Sequence, residues 1–219
     1  MEPLSEIDVR VLGSLIEKEI TTPDNYPLSL NTLVNACNQS SNRDPVVRYD
    51  EATVKASVDR LRKYSLVRSM QRSGERVMKY LHLLGDAMDL DRAQLAVLDV
   101  LMLRGPQTLG EVRTHAGRMY EFQRLDDVEA TLDGLATRSP EPLVARLERQ
   151  PGQKEARYAH LLSGEPRIAP APPAGIELAD VDVQPAPNRV EELERAVELL
   201  RSEVADLRSE ITELKRVFE

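Results

Sequence analysis

A helix-rich unit ending in a two-stranded ribbon occurs twice in this chain, ahead of a heptad tail. The sequence therefore predicts a mainly α protein with small β-ribbons: tandem winged-helix domains followed by a linker and a C-terminal coiled-coil helix. Three observations carry the prediction. The apolar spacing from Asp50 to Leu84 returns from Asp126 to Leu162. The two ribbons end alike, in Lys79-Tyr80-Leu81-His82-Leu83-Leu84 and Arg157-Tyr158-Ala159-His160-Leu161-Leu162. The C-terminal residues keep a strict alternation of three- and four-residue apolar steps. These place a first domain at 1–85, a second at 86–164, a linker at 165–188 and a coiled coil at 189–219.

The first helix opens at Ser5, whose hydroxyl can cap free backbone N–H groups, with Asp8 as the returning acid of a capping box. Val11, Leu12, Leu15 and Ile16 share one face. Glu17-Lys18-Glu19 is expected to close that helix on a solvated face. Two prolines make Thr21 to Leu28 a loop, and Pro27 holds Tyr26 extended. Ser29 caps a second helix with Leu30, Leu33, Val34 and Cys37 inward. Asn38 to Pro45 is a polar, turn-forming break. The third helix starts near Asp50 and buries Val54, Val58 and Leu61. Lys55 and Arg62 are expected outside, with Asp59 and Arg60 to one side. Leu66–Met70 and Val77–Leu83 are the ribbon strands around an Arg72-Ser73-Gly74-Glu75 turn, where glycine supplies backbone freedom.

In the second copy, Leu90, Val97, Leu98, Leu101 and Met102 match Leu4, Val11, Leu12, Leu15 and Ile16 at a constant offset of 86. Asp91 and Gln94 form the capping pair, and Leu109 and Val112 head a short second helix. Val128, Leu132 and Leu135 repeat Val54, Val58 and Leu61 at an offset of 74, and the last strand matches at 78. The changes of offset put the extra residues in the polar loops of the first copy. Repeats this regular point to duplication of one fold.

Residues 165–188 contain six prolines and no apolar pattern, the composition of a semi-extended linker. Beyond it, Val190, Val197, Val204 and Ile211 occupy a positions, and Leu193, Leu200, Leu207 and Leu214 occupy d positions. β-Branched residues at a with leucine at d favour a parallel homodimer. Glu203 and Glu210 at g face Arg208 and Lys215 at e of such a partner. The competing arrangement is a helix folded back on its own domains.

Composition limits the function. The 219 residues carry a net charge of −8 and only 4% aromatics. Residues 1–85 hold 12 Lys/Arg against 11 Asp/Glu, residues 86–164 hold 10 against 13, and the remainder 7 against 13. Phosphate contacts need clustered cations, so only the first domain keeps a nucleic-acid option. The single cysteine excludes an intrachain disulfide and suits a reducing cytoplasm. The N-terminal residues read as no signal peptide, and no segment reads as a membrane span. Three histidines and one cysteine show no metal-ligand spacing, and there is no phosphate-binding glycine loop, so neither a cofactor nor an enzymatic role is expected.

Thr21-Thr22-Pro23-Asp24-Asn25-Tyr26-Pro27-Leu28-Ser29-Leu30, with Asn35-Ala36-Cys37-Asn38-Gln39 and Asn42-Arg43-Asp44-Pro45-Val46, resembles the YceH family of bacterial proteins. The resemblance covers roughly residues 4–164. It implies a pair of winged-helix domains and, the family's function being unknown, no catalytic or binding residues.

Two functions from different classes follow. A winged helix that reads DNA lays its third helix in the major groove and its wing on the backbone. That assigns Lys55, Arg60, Arg62 and Lys63 on the helix, with Arg72 and Arg76 on the wing, to duplex DNA. Glu51, Asp59 and Glu75 interrupt this patch. The matching helix of the second domain carries Asp126, Asp127, Glu129 and Asp133, which repel phosphate. The alternative is a protein-interaction adaptor that does not bind DNA, its partner on the second domain. The Asn-rich loop (Asn31, Asn35, Asn38, Asn42 and Arg43) reads equally as a self-bonded turn and as a binding surface.

Overall fold

The computed structural model describes residues 2–71, 77–149, 153 and 155–165. The described residues cluster as one compact unit. The linker and the dimerisation residues predicted at Val190 to Leu214 lie outside the described residues, as do Arg72 and Arg76.

The first copy consists of α1 (Glu6–Thr21), β1 (Leu28–Ser29), α2 (Leu30–Cys37), α3 (Glu51–Lys63), β2 (Val67–Met70) and β3 (Lys79–His82). A four-residue helix α4 (Leu84–Ala87), absent from the sequence reading, leads into the second copy. That copy consists of α5 (Arg92–Arg104), α6 (Leu109–Ala116), α7 (Leu125–Ala136), β4 (Val144–Arg146) and β5 (Tyr158–His160). Mainly helical, with small antiparallel sheets, the arrangement is consistent with a winged-helix-like architecture.

The helix starts follow the caps that sequence predicts. Ser5 and Asp8 close a full capping box on α1, as do Asp91 and Gln94 on α5. Ser29 caps α2 and Asp50 caps α3 through their side chains. Each cap satisfies backbone donors that the first helical turn leaves open.

The first sheet has the order β1-β3-β2, with Leu28 opposite Tyr80 and Val67 opposite His82. The second sheet has two strands, with Val144 opposite His160 and Arg146 opposite Tyr158. Gln107 makes a single antiparallel bridge to Tyr158, the place that Leu28 holds beside Tyr80. Thr108 then caps α6 as Ser29 caps α2, and Ala116 ends α6 where Cys37 ends α2. A buried alanine at the matching position supports reading Cys37 as a small apolar core residue. The strand β3 is shorter than the Val77–Leu83 expected, because Val77 and Met78 are exposed and outside the ladder.

The inward faces of α3 and α7 are as predicted: Val54, Val58 and Leu61, and Val128, Leu132 and Leu135, are all fully buried. One hydrophobic cluster spans both copies. Its centre is the packing of α1 on its own counterpart α5. From Leu95 to Leu103, α5 is buried all round, as expected of a helix at the middle of a core. The chain ends of the unit also meet: the Leu4 N–H donates to the Leu162 carbonyl at 2.8 Å.

Candidate functional site at the junction of the two copies

Three of the side chains assigned to DNA, Lys55, Arg60 and Arg62, are held by carboxylates. Lys55 Nζ lies 2.5 Å from Asp59 Oδ2, and Arg62 Nη1 lies 3.5 Å from Asp59 Oδ1. The hydrogen bond from Lys55 holds the Asp59 carboxyl below its usual range. Glu51, Lys55, Asp59 and Arg62 therefore leave the outer side of α3 balanced in formal charge. Exposed pairs of this kind add little stability, yet they cancel the field a phosphate would meet. Arg60, its side chain still partly exposed, reaches along the surface to Asp8, with Nη2 at 2.9 Å from Oδ1 and Nε at 3.2 Å from Oδ2. Ser57 donates to the same carboxylate at 2.6 Å. Burial alone would raise the Asp8 carboxyl, but the hydrogen bonds from Arg60, Ser5 and Ser57 outweigh it and hold it low. Arg60 is thereby a link between α3 and the start of α1. Lys63 is exposed. On α7, Asp126, Asp127 and Asp133 are exposed and Glu129 is half-buried.

The distinctive motifs gather instead where α1, the Asn-rich loop and α5 meet. Glu17 is buried, which corrects the solvated face expected for Glu17-Lys18-Glu19. Arg43, also buried, places Nη2 at 2.7 Å from Glu17 Oε2. Arg43 donates further to the Ala36 carbonyl at 3.0 Å and the Asn42 carbonyl at 2.9 Å. Burial would raise the Glu17 carboxyl, but the hydrogen bond and charge of Arg43 hold it below its usual range. Asn38 brackets Tyr49, donating to its carbonyl at 2.8 Å and accepting its N–H at 2.7 Å. The Asp44 N–H donates to the Leu103 carbonyl at 2.9 Å, and Arg104 donates to the Asn42 side chain. Of the two readings of the loop, hydrogen bonding accounts for Asn38, Asn42 and Arg43. Asn31 and Asn35 are exposed on α2.

At the centre of the junction α1 and α5 approach closely. A Cβ at Gly13 would lie 2.8 Å from Leu103 Cδ2 and 3.2 Å from Asp99 Oδ1. Asp99 is fully buried and neither carboxyl oxygen has a hydrogen-bond partner among the described residues. Burial, and then the negative charge of Glu17, push its carboxyl well above the usual range, which favours the protonated form. A cavity of about 20 Å³ lies among Glu17, Asp99, Arg104, His115 and Arg118. That volume admits about one water molecule.

Two of the larger cavities are lined by several titratable side chains. One of about 540 Å³ is lined by Glu19, His82, Asp86 and Arg92. In it His82 Nε2 lies 2.7 Å from Glu19 Oε2, and the His82 N–H donates to the Tyr26 hydroxyl at 2.8 Å. The motif residue Tyr26 thus braces β3. The other, of about 280 Å³, is lined by Arg10, Asp44, Tyr49 and His160 among others. Burial brings the His160 imidazole down to about 4 and the Cys37 thiol up to about 11. Among the described residues no group of three or more His, Cys, Asp or Glu side chains could hold a metal ion. None of the described helices is long and apolar enough to cross a membrane.

Sequence reasoning missed this junction because its bonds join residues far apart in the chain. The signal available was the density of Asn and Arg in one loop.

The comparisons agree with the motifs. A profile of the family described as "Protein of unknown function, DUF480" matches residues 4–153. A UPF0502 protein of Opitutus terrae is 53% identical over 171 residues, covering 78% of this chain and 74% of its own. One of Geotalea daltonii is 50% identical over 191 residues, 87% of each chain. One of Chromobacterium violaceum is 49% identical over 194 residues, 89% of this chain and 86% of its own. The chain therefore belongs to the DUF480 or UPF0502 family, the YceH family that its loop motifs resemble.

Proposed function

We propose that this chain is a non-catalytic protein-interaction module of the cytoplasm. It consists of two winged-helix units locked together, and the C-terminal heptads pair two chains. One observation carries the reading. At the start of α7, the helix that takes the place of α3 in the second unit, Tyr120 and Leu125 are 38% and 42% exposed beside Glu121, Asp126 and Asp127. Tyr120 is set edge-on against the buried Phe122, with ring centroids 4.8 Å apart. Arg124 pairs with Asp126 at 2.5 Å, which leaves Glu121 and Asp127 as the acids beside the anchored aromatic, an arrangement that suits a basic amphipathic segment of a partner protein.

The test compares proteins captured on the full chain and on a Tyr120→Ser, Leu125→Ser double variant. A stoichiometric protein retained by the first and lost by the second supports the reading. Recovery of nucleic acid alone, or of the same proteins by both, counts against it.

A second reading rests on Arg62, Lys63 and Arg68, which are exposed along the end of α3 and on β2. With Arg72 and Arg76 they would make a backbone contact to duplex DNA through the first unit. Affinity for generic duplex that falls steeply with salt, and falls again in Arg62→Glu, would support it. No binding at low salt would remove it.

A further inference from the structure

We infer that the cavity beside Arg10 binds a small zwitterion: a carboxylate and an ammonium group on an apolar body, such as an α-amino acid of moderate size. This inference stands apart from the partner surface on α7.

Arg10 is the anchor. It is only 4% exposed and forms part of the wall of the cavity of about 280 Å³. Nη2 donates to the Pro45 carbonyl at 2.7 Å, but Nη1 is buried with no acceptor among the described residues. The neighbouring buried guanidinium, Arg43, has Glu17 at 2.7 Å, whereas no carboxylate lies within salt-bridge distance of Arg10 among the described residues. Burial, and then the charge of Arg43, press Arg10 towards its neutral form. A buried cation with an open N–H is costly unless an anion reaches it. A carboxylate entering the cavity supplies both the acceptor and the countercharge.

The other walls narrow the class of ligand. Glu6 and Asp44, both exposed, also line the cavity. They oppose a phosphate or a dicarboxylate, whose extra negative charge would sit against them. They suit an ammonium group carried by the same molecule. Val9, Val47 and Met102 provide apolar wall for the remainder. His160 is there too, its Nδ1 buried without a partner and its ring neutral at pH 7. The volume is near the lower end, about 300 Å³, of cavities that hold small ligands. Asp44, Pro45 and Val47 come from the loop that ties the first copy to α5, so a ligand here would touch the joint itself.

The test is calorimetric titration of the full chain with L-leucine, L-methionine and L-phenylalanine. Two half-molecules of leucine serve as controls: 4-methylpentanoate, which lacks the ammonium group, and 3-methylbutylamine, which lacks the carboxylate. The expected result is saturable binding of at least one amino acid. Both half-molecules should bind at least about tenfold more weakly, roughly the 1.4 kcal/mol of one lost contact. Arg10→Lys and Glu6→Gln should each weaken the amino acid by a similar factor. Glu6 is exposed, so its variant keeps the fold and carries the test even where Arg10→Lys does not fold. Three outcomes overturn the inference: no saturable binding by any probe, equal binding of 4-methylpentanoate and leucine, or unchanged leucine binding in Glu6→Gln.

Discussion

Asp99→Asn should make the protein more stable at neutral pH, and by an amount that grows with pH. In the native protein the Asp99 carboxyl is fully buried, unpartnered and close to Glu17, so it keeps its proton well above its usual range. In the unfolded chain it loses that proton near pH 4. Its folded value is raised, so its contribution is fully present below the unfolded value and is lost as pH rises. Between the two values the native state holds one more proton than the unfolded state. Stability therefore falls by about 1.4 kcal/mol for each pH unit from this group alone. Over the range between the two values the wild type should thus lose stability relative to Asp99→Asn, which has no proton to release, at up to about 1.4 kcal/mol per pH unit. Asn is nearly isosteric and equally unpartnered, so the two proteins should be close in stability at pH 4. The assay is urea unfolding of both at half-unit steps from pH 4 to 8, taking the difference at each pH. The difference cancels titrating groups that do not interact with Asp99, His160 included, and leaves Asp99 together with its coupling to Glu17. Parallel curves would refute the reasoning, since they would show Asp99 ionised in the native state or hydrated at the junction.

Arg43→Ala should destabilise the fold by about 3–5 kcal/mol, because Glu17 would keep its burial and lose its main countercharge; thermal melting at pH 7 reads this, and a loss under 1 kcal/mol would contradict it. Gly13→Ala should cost roughly 1 kcal/mol in urea unfolding. The contact with Leu103 adds about 1–3 kcal/mol of strain, against about 0.5–1 kcal/mol regained in helix propensity. His160 runs opposite to Asp99: its folded value is lowered to about 4, so its contribution is present above about pH 6.5 and lost as pH falls towards 4. His160→Gln should flatten the acid limb of the stability curve over that window. Cys37, buried and pushed up to about 11, should react with a thiol reagent only on unfolding, which titration in the presence and absence of urea checks.

What could be read from sequence was what repeats over short distances. Ser5, Ser29, Asp50 and Asp91 are legible caps because capping is settled within four residues. Val54, Val58 and Leu61 are legible as a buried face because helical period alone defines it. Charge was misread where a partner distant in sequence decides the matter. Arg60 is partly exposed as its place on the helical wheel implies, but its partner, Asp8, lies 52 residues away, where no local pattern points. Glu17 belongs to a charged run that usually lies in solvent, yet Arg43 reaches it from 26 residues away and makes burial tolerable. Asp99 was visible only as an interruption of an apolar segment. Nothing local distinguishes an aspartate facing water from one facing the counterpart helix.

The close approach of Gly13 to Asp99 ties the size of one position to that of the other. The offset of 86 that relates the apolar pattern of α1 to that of α5 pairs positions 13 and 99, and the two face each other across the helices. They are filled unequally: the one without a side chain makes the room that the carboxyl of the other takes up. In a close-packed interior neither can then change size unless its neighbour changes with it.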